Sequence, residues 1–107
     1  MALVLGIDSS TQSTKVEARD IDTGVVVARG NAAHPPTTPP VSEQDPVAWW
    51  AALTEAITQL GDHRVDVVAI SVAGQQHGLV LLDAEGAPLR PAKLWNDTTS
   101  APQAGRL

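Results

Sequence analysis

Apolar and polar residues in the first part of the chain predict three consecutive β-strands. An apolar run over 2–7 ends at Asp8, which begins a series of polar and hydroxyl side chains, and apolar and charged residues then alternate over 14–21, as expected of a half-exposed strand. A turn with two acidic residues and a glycine leads into a third apolar run at 25–28. Strands joined by such short turns pair in the antiparallel sense, so the pattern predicts a β-meander that begins with a hairpin.

A loop and one amphipathic helix are predicted next. The segment 34–40 contains four prolines, which exclude a helix and favour an extended loop. Asp45 and Pro46 have the character of an N-cap and a first helical residue, and the helical pattern continues to Gly61. The apolar positions that recur every three or four residues are Val47, Trp50, Leu53, Ile57 and Leu60. At most one of the adjacent Trp49 and Trp50 fits the buried face, because neighbouring helical residues point about 100° apart.

Two further strands and a second helix follow in the pattern. The nearly continuous apolar run over 65–72 predicts a strand covered on both faces and joined to the sheet by a crossover through the preceding helix. A second apolar run at 79–83, with a turn at 84–86, predicts another strand, and a helix is expected to begin after Thr99. The predicted fold class is α/β, with a mixed sheet that contains an antiparallel meander and a crossover helix.

Length and charge exclude several classes of protein. A chain of 107 residues makes one small domain at most. Twelve acidic against seven basic residues give a net charge of −5, without a cluster of Lys or Arg, so we expect no nucleic-acid partner and no anionic membrane partner. The absence of cysteine agrees with a reducing compartment. No apolar run reaches the length of a membrane span, and we expect a cytoplasmic protein.

The tip of the first hairpin carries candidate phosphate chemistry. Asp8, Thr11 and Lys15 lie on or beside the turn, where backbone N–H groups, hydroxyls and an ammonium suit a phosphate. A carboxylate beside them suits the accompanying Mg²⁺, which binds one or two carboxylates and keeps several waters. In the alternative interpretation, Asp8 only caps its own turn.

Two later segments carry candidate polyol-binding groups. Gln76 and His77 follow the predicted strand at 65–72, and the carboxyl ends of strands are where open α/β sheets bind ligands. Trp95 and Asp97 combine an aromatic face with a polar acceptor, an arrangement that suits a sugar. The alternatives are structural: His77 can satisfy backbone groups of its turn, Trp95 can belong to the core, and Asp97 can cap the next helix.

The order of these motifs resembles the start of xylulokinases in the FGGY carbohydrate kinase family. The motifs are Gly6-Ile7-Asp8-Ser9-Ser10-Thr11, Glu43-Gln44-Asp45-Pro46, Gly74-Gln75-Gln76-His77-Gly78 and Leu94-Trp95-Asn96-Asp97. The resemblance implies an RNase H-like domain of the actin-like ATPase superfamily, with ATP and Mg²⁺ as cosubstrate and metal. The reaction that it implies is the phosphorylation of D-xylulose to D-xylulose 5-phosphate.

The resemblance also implies a role for each candidate residue. Asp8 would lie near the metal, which it would hold through water, and near the transferred phosphate. Thr11 and Lys15 would belong to the phosphate hairpin, and Gln76 with His77 would contact the sugar. Family members are several times longer than this chain, so residues 1–107 are predicted to be the N-terminal part of the sugar-binding domain. The catalytic base would then lie outside the chain, which alone is expected to be inactive, and the full-length protein could form a homodimer.

Three positions depart from the pattern of the family, and two of them, Gln76 and Thr99, leave the substrate open. Ser10 stands where the phosphate motif usually has Gly, Gln76 where xylulokinases commonly have Met, and Thr99 where they have Arg. Another FGGY kinase, for glycerol, ribulose or gluconate, is the nearest alternative. A non-kinase actin-like ATPase and a small binding module are the two others.

Overall fold

The computed structural model describes all residues from Met1 to Leu107, and it has a β-sheet with a helix on one face. The strands are β1 (Leu3–Ser9), β2 (Ser13–Asp20), β3 (Val26–Ala33), β4 (Glu43–Gln44), β5 (Val67–Gly74) and β6 (Ala92–Lys93). The helices are α1 (Pro46–Thr58), a 3₁₀ helix (Gly61–Asp66) and α2 (Ala101–Ala104). The predicted turn between β2 and β3, the N-cap at Asp45 and the helix after Thr99 are all present.

The main sheet has the strand order β3-β2-β1-β5. The first three strands form the predicted antiparallel meander, and β5 pairs in parallel with β1. Parallel neighbours require a crossover connection, which α1 and the 3₁₀ helix provide as predicted. Strand β4 pairs with β6 in a separate two-stranded ribbon. Because β1 and β5 are parallel, their carboxyl ends meet at one edge of the sheet.

The core lies between the sheet and the small residues of α1. Leu3, Leu5 and Ile7 of β1 are buried, and the helix faces them with Ala52 and Ala56. The predicted apolar face was therefore wrong at its first two positions, since Val47 is 58% and Trp50 68% exposed. Leu53 and Ile57 are partly buried and Leu60 is fully buried. Trp49, not Trp50, is the partly buried tryptophan.

A close approach of two backbones explains why alanine, and not a larger residue, faces the sheet. A Cβ atom added to Gly30 of β3 would lie 1.9 Å from the carbonyl oxygen of Ala56. The helix therefore rests almost directly on the backbone of β3, and only small side chains fit between them. Periodicity of large apolar residues could not reveal this, because the buried positions are alanines.

Strand β5 has the predicted place but not the predicted environment. Val68, Ile70 and Val72 are 65%, 59% and 67% exposed, so the prediction of a strand covered on both faces was wrong. The helix α1 packs on β2 and β3, which lie on the other side of β1. It leaves β5 uncovered beyond Val67, which packs against the core.

The predicted strand at 79–83 was also wrong. Only isolated bridges join Leu79 to Lys93 and Leu82 to Pro88, because no continuous neighbouring strand is available for pairing. The predicted turn at 84–86 is present: Gly86 has a φ of 84°, and the carboxylate of Asp83 accepts from nearby backbone N–H groups. Neither α1 nor α2 is long and apolar enough to cross a membrane.

Candidate functional site

Asp8 and Lys15 lie together on the face of the sheet that α1 does not cover. They are register partners across the β1–β2 hairpin, and both line a cavity of about 450 Å³. The remaining side chains of this cavity include Glu17 and Arg19, which are paired with each other at 2.7 Å. Hydrogen bonds from Arg19 and then from Arg29 lower the pKa of Glu17 below its ordinary value. Asp8 and Lys15 form no ion pair, so their charges are available to a ligand.

The hairpin turn closes without help from Asp8. The backbone N–H and the hydroxyl of Ser10 both donate to the carbonyl of Ser13, at 3.0 and 3.2 Å. Ser10 does not have a positive φ, so a serine fits at the position where the family usually has glycine. The carboxylate of Asp8 accepts no hydrogen bond in this turn, which removes the alternative that it is only a turn cap.

The side chain of Thr11 turns away from the Asp8 cavity toward the later motifs. Its hydroxyl accepts from the indole Nε1–H of Trp95 at 3.0 Å and donates to the side-chain oxygen of Gln75 at 3.1 Å. It lines a second cavity of about 470 Å³, to which Trp95 and Asn96 also contribute. The structure thus brings the hairpin tip and the Trp95 segment together through a residue that was predicted to contact phosphate.

The side chain of Gln44 holds the hairpin tip in place, and Gln44 was not among the predicted site residues. The side chain is buried, with 2% exposure. Its amide nitrogen donates to the carbonyls of Thr11 and Pro35 at 2.8 and 2.7 Å, and its oxygen accepts from Trp49 Nε1 at 2.8 Å. Three of the four hydrogen bonds that this amide group can form are therefore present. Its place in the Glu43-Gln44-Asp45-Pro46 motif was the available signal.

A buried pair lies beside the same cavity. The hydroxyl of Thr14 and Nε2 of His34 are 2.7 Å apart, and both residues are buried. This contact joins β2 to the start of the proline segment. His34 was not a predicted site residue, because a histidine among prolines gives no sequence signal of its partner.

Gln76 and His77 are exposed at the carboxyl end of β5. The pairing of β1 and β5 continues one residue further through a bond from Gln75 N to the carbonyl of Ser9, at 3.0 Å. His77 has a φ of 59°, a left-handed conformation that histidine adopts more readily than most residues, and it lines a third cavity of about 260 Å³. Neither side chain forms a hydrogen bond within the chain, so the alternative that His77 satisfies backbone groups is not supported.

The carboxylate of Asp97 is occupied by hydrogen bonds from other groups of the chain. Its carboxylate accepts from the backbone N–H of Ser42 and of Thr99, both at 2.9 Å, from the Thr99 hydroxyl and from Lys93 Nζ at 3.4 Å. The hydrogen bond from the Thr99 hydroxyl, followed by those from Ser42 and Thr99 backbone groups, holds the pKa of Asp97 far below its ordinary range. A carboxylate has about four acceptor sites. The carboxylate thus holds this segment in place, and its sugar contact stays a prediction. Asp97 does not cap α2, whose N-cap residue is Ser100.

A sequence model of the FGGY family of carbohydrate kinases, N-terminal domain, matches residues 3–107. The chain belongs to this family. A xylulose kinase of Streptomyces coelicolor is 56% identical over 105 residues, a match that covers 98% of this chain and 22% of that protein. A xylulose kinase of an Arthrobacter species is 59% identical, with 94% of this chain and all of that sequence covered. The FGGY chain thus spans about a fifth of the length of the Streptomyces relative.

The fold prediction is confirmed by a solved structure. The crystal structure of a xylulose kinase from Bifidobacterium adolescentis superposes with a TM-score of 0.87 at 51% identity, and the match covers 99% of this FGGY chain and 20% of that protein. The mixed sheet with its crossover helix is accordingly part of the actin-like ATPase fold of the FGGY sugar kinases.

The residues of this FGGY chain fit a magnesium ion held through water, and not a metal bound by protein alone. No group of three or more His, Asp or Glu side chains could hold a metal. Asp8 offers a single carboxylate without a protein partner, in a cavity that also holds the ammonium of Lys15. Mg²⁺ usually binds one or two carboxylates together with waters and substrate phosphates, and this donor set agrees with that chemistry.

Proposed function

We propose that the full-length protein phosphorylates D-xylulose with ATP and Mg²⁺ and forms D-xylulose 5-phosphate and ADP. In this reaction the 5-hydroxyl oxygen of the sugar forms a bond to the γ-phosphorus of ATP, and the bond between that phosphorus and the β,γ-bridging oxygen breaks. The hydroxyl proton passes to a base that belongs to the remainder of the protein. The similarity to xylulose kinases at 56% and 59% identity supports this choice of substrate.

The observation that carries the proposal is that the unpaired charges of Asp8 and Lys15 lie at the sheet edge where His77 also lies. Asp8 pairs in register with Ala73 of β5, and His77 follows Ala73 closely in the chain. A nucleotide phosphate near Asp8 and a sugar near His77 would therefore be neighbours. Phosphoryl transfer depends mainly on positioning and on stabilising charge, and these residues supply both functions.

Each residue has a defined role in the proposal. Lys15 would donate to phosphate oxygens, and Asp8 would hold the waters of a bound Mg²⁺. The metal, when bound, neutralises charge on the phosphate oxygens. His77 and Gln76 offer unpaired polar atoms to sugar hydroxyls. Trp95, a residue that is 59% exposed, offers the face of its ring. Residues 1–107 would form the N-terminal part of the sugar-binding domain in a cytoplasmic enzyme.

The experiment uses the full-length protein with ATP, Mg²⁺ and a panel of D-xylulose, D-ribulose, glycerol and D-gluconate. We expect the largest kcat/KM for ADP formation with D-xylulose, and loss of activity when a chelator removes Mg²⁺. Residues 1–107 alone are expected to be inactive. A larger kcat/KM for another polyol would reject the substrate, and ATP hydrolysis that no polyol stimulates would reject the kinase function.

The second candidate is an FGGY kinase for a different polyol, and Gln76 is the observation that favours it. The exposed amide of Gln76 offers a donor and an acceptor where xylulokinases commonly have an apolar Met. Gln76→Met should therefore shift the ratio of kcat/KM between D-xylulose and the other polyols. A uniform fall in all values would show that Gln76 does not select the sugar.

A further inference from the structure

Trp95 is an exposed aromatic side chain whose orientation depends on one hydrogen bond. The residue is 59% exposed, so packing alone restrains its ring weakly. Its indole nitrogen donates to the hydroxyl of Thr11 at 3.0 Å, across 84 positions of sequence. No other hydrogen bond of the Trp95 side chain is present in the structure.

The hydroxyl of Thr11 can receive this bond because the rest of Thr11 is fixed. Its proton is directed to the side-chain oxygen of Gln75 at 3.1 Å, which leaves its lone pairs for the indole. Its backbone carbonyl accepts from Gln44 at 2.8 Å, and Gln44 is itself 2% exposed. The position of Thr11 is thus set by a buried amide and by the end of β5.

The same geometry separates Thr11 from the phosphate side of the hairpin. Asp8 and Lys15 line the cavity of about 450 Å³ to which Thr11 does not contribute. Thr11 lines the other cavity, together with Trp95. With both its hydrogen-bonding functions used by protein groups, the hydroxyl is better placed to orient the indole than to bind a phosphate.

We propose that Thr11 is a positioning residue that fixes the ring of Trp95 for the sugar and does not contact the nucleotide through its side chain. This inference rests on the proposed function, because it treats Trp95 as part of the sugar site. Aromatic faces bind sugars well only when the ring has the correct orientation, and an ordered ring lowers the entropy lost on binding. Thr11 thereby couples the phosphate hairpin to sugar affinity.

Thr11→Val in the full-length protein tests the proposal, because it keeps the shape of threonine and removes the hydroxyl. We expect the KM for the sugar to rise about 3- to 10-fold, as the loss of one hydrogen bond predicts, with little change in the KM for ATP. Thr11→Ser should restore the sugar KM. Thr38→Val is the matched control, since the exposed Thr38 makes no side-chain hydrogen bond and lines neither cavity, and it should leave both constants unchanged. A raised KM for ATP with an unchanged sugar KM would overturn the proposal.

A double-mutant cycle and a spectroscopic measurement make the test specific. Trp95→Phe removes the same hydrogen bond from its other end, so Thr11→Val should add less to the sugar KM in the Trp95→Phe background than in the wild type. Fully additive effects would overturn the proposal. The indole N–H signal of Trp95, assigned by its loss in Trp95→Phe, should lose protection from hydrogen exchange in Thr11→Val and keep it in Thr11→Ser. Unchanged protection in Thr11→Val would also overturn it.

The exchange measurement needs no sugar and therefore separates this inference from the proposed function. If the wild-type protein prefers another polyol, the choice of D-xylulose fails, and the cycle is repeated with the preferred substrate. Loss of exchange protection together with a raised KM for that polyol would still support the positioning role of Thr11. Loss of protection without any change in sugar KM would reject it.

Discussion

Asp8 and Lys15 face each other across the first hairpin as register partners, and yet their side chains do not form an ion pair. Opposite charges at such cross-strand positions usually attract each other, as Glu17 and Arg29 do at 3.1 Å in the neighbouring part of the sheet. Both free charges line one cavity. A cation bound in this cavity would therefore meet the free carboxylate of Asp8, and an anion would meet the free ammonium of Lys15.

Asp8→Asn should lower kcat of the proposed phosphorylation by the full-length protein about 100-fold or more. The amide keeps the shape of the side chain but cannot hold the waters of Mg²⁺, and that interaction matters most in the transition state. The sugar KM should hardly change. Steady-state kinetics with both substrates provide the measurement, and Asp22→Asn, in the exposed turn after β2, is the control. A normal kcat would show that Asp8 has no major role in the reaction.

His77→Ala should raise the KM for the sugar roughly 10- to 100-fold and leave the KM for ATP nearly constant. The imidazole has unpaired polar atoms at the third cavity, and a lost hydrogen bond to a buried hydroxyl costs about 1 to 3 kcal/mol. The φ of His77 is 59°, a conformation that asparagine also tolerates. His77→Asn is therefore the control for effects of the substitution on the backbone. A fall in thermal stability with unchanged sugar kinetics would make His77 a purely structural residue.

Gly30→Ala should destabilise the protein by at least about 2 kcal/mol, because the new methyl group meets backbone and overpacking of a core is costly. The clash involves the carbonyl of Ala56 and Cγ2 of Val16, at 1.9 and 2.9 Å. Gly6→Ala provides a matched control, since nothing lies within 4 Å of its added Cβ. Urea denaturation of both variants measures the difference. Equal stability of the two would mean that α1 can move away from β3 at no cost.

Asp97 should stabilise the protein above its ordinary pKa of 3.8 and lose this effect in more acidic solution. Folding lowers its pKa, so the folded protein favours the ionised carboxylate, and the stabilisation disappears as the pH falls through the folded-state pKa. Asp97→Asn should lower Tm by several degrees at neutral pH and by progressively less in acid. Thermal melts across this range provide the test. Asp62→Asn, at an exposed position, should show no such pattern, and a pH-independent loss for Asp97→Asn would contradict the prediction.

The isolated chain of 107 residues should self-associate through β5. This strand ends the sheet, and unpaired strand edges with exposed apolar side chains promote association. Ile70→Lys should shift the chain toward the monomer in sedimentation experiments. Val25→Lys is the control, because Val25 is 60% exposed but lies outside the strands. A monomer at all concentrations, or an equal effect of both variants, would contradict this prediction.

Local patterns predicted the elements of the fold better than their surroundings. The meander and the helix start at Asp45 were predictable, because alternation and capping act over a few residues. The buried face of α1 was not, since it depends on the contact between Gly30 and Ala56, which are distant in sequence. The exposure of Ile70 likewise depends on where α1 lies, and not on the residues of β5.

The candidate site was predictable as a set of motifs but not as a network. Asp8 and His77 stand at strand ends, and strand ends can be located from the sequence. The hydrogen bond between Trp95 and Thr11 joins two segments that no local pattern connects. Gln44 was missed for a similar reason: its importance comes from burial and from partners that only the folded chain brings near.

The segment between Leu79 and Lys93 begins and ends at one place, because two backbone hydrogen bonds of 2.8 and 3.1 Å join these residues. Within this segment, residues 83–87 form hydrogen bonds only with one another. Loop length changes the cost of closure only slowly, so the turn at Gly86 is a suitable point for inserting a short peptide label. Such a label would report on the protein in solution while Gln76, His77 and Trp95, on either side of the junction, keep their places.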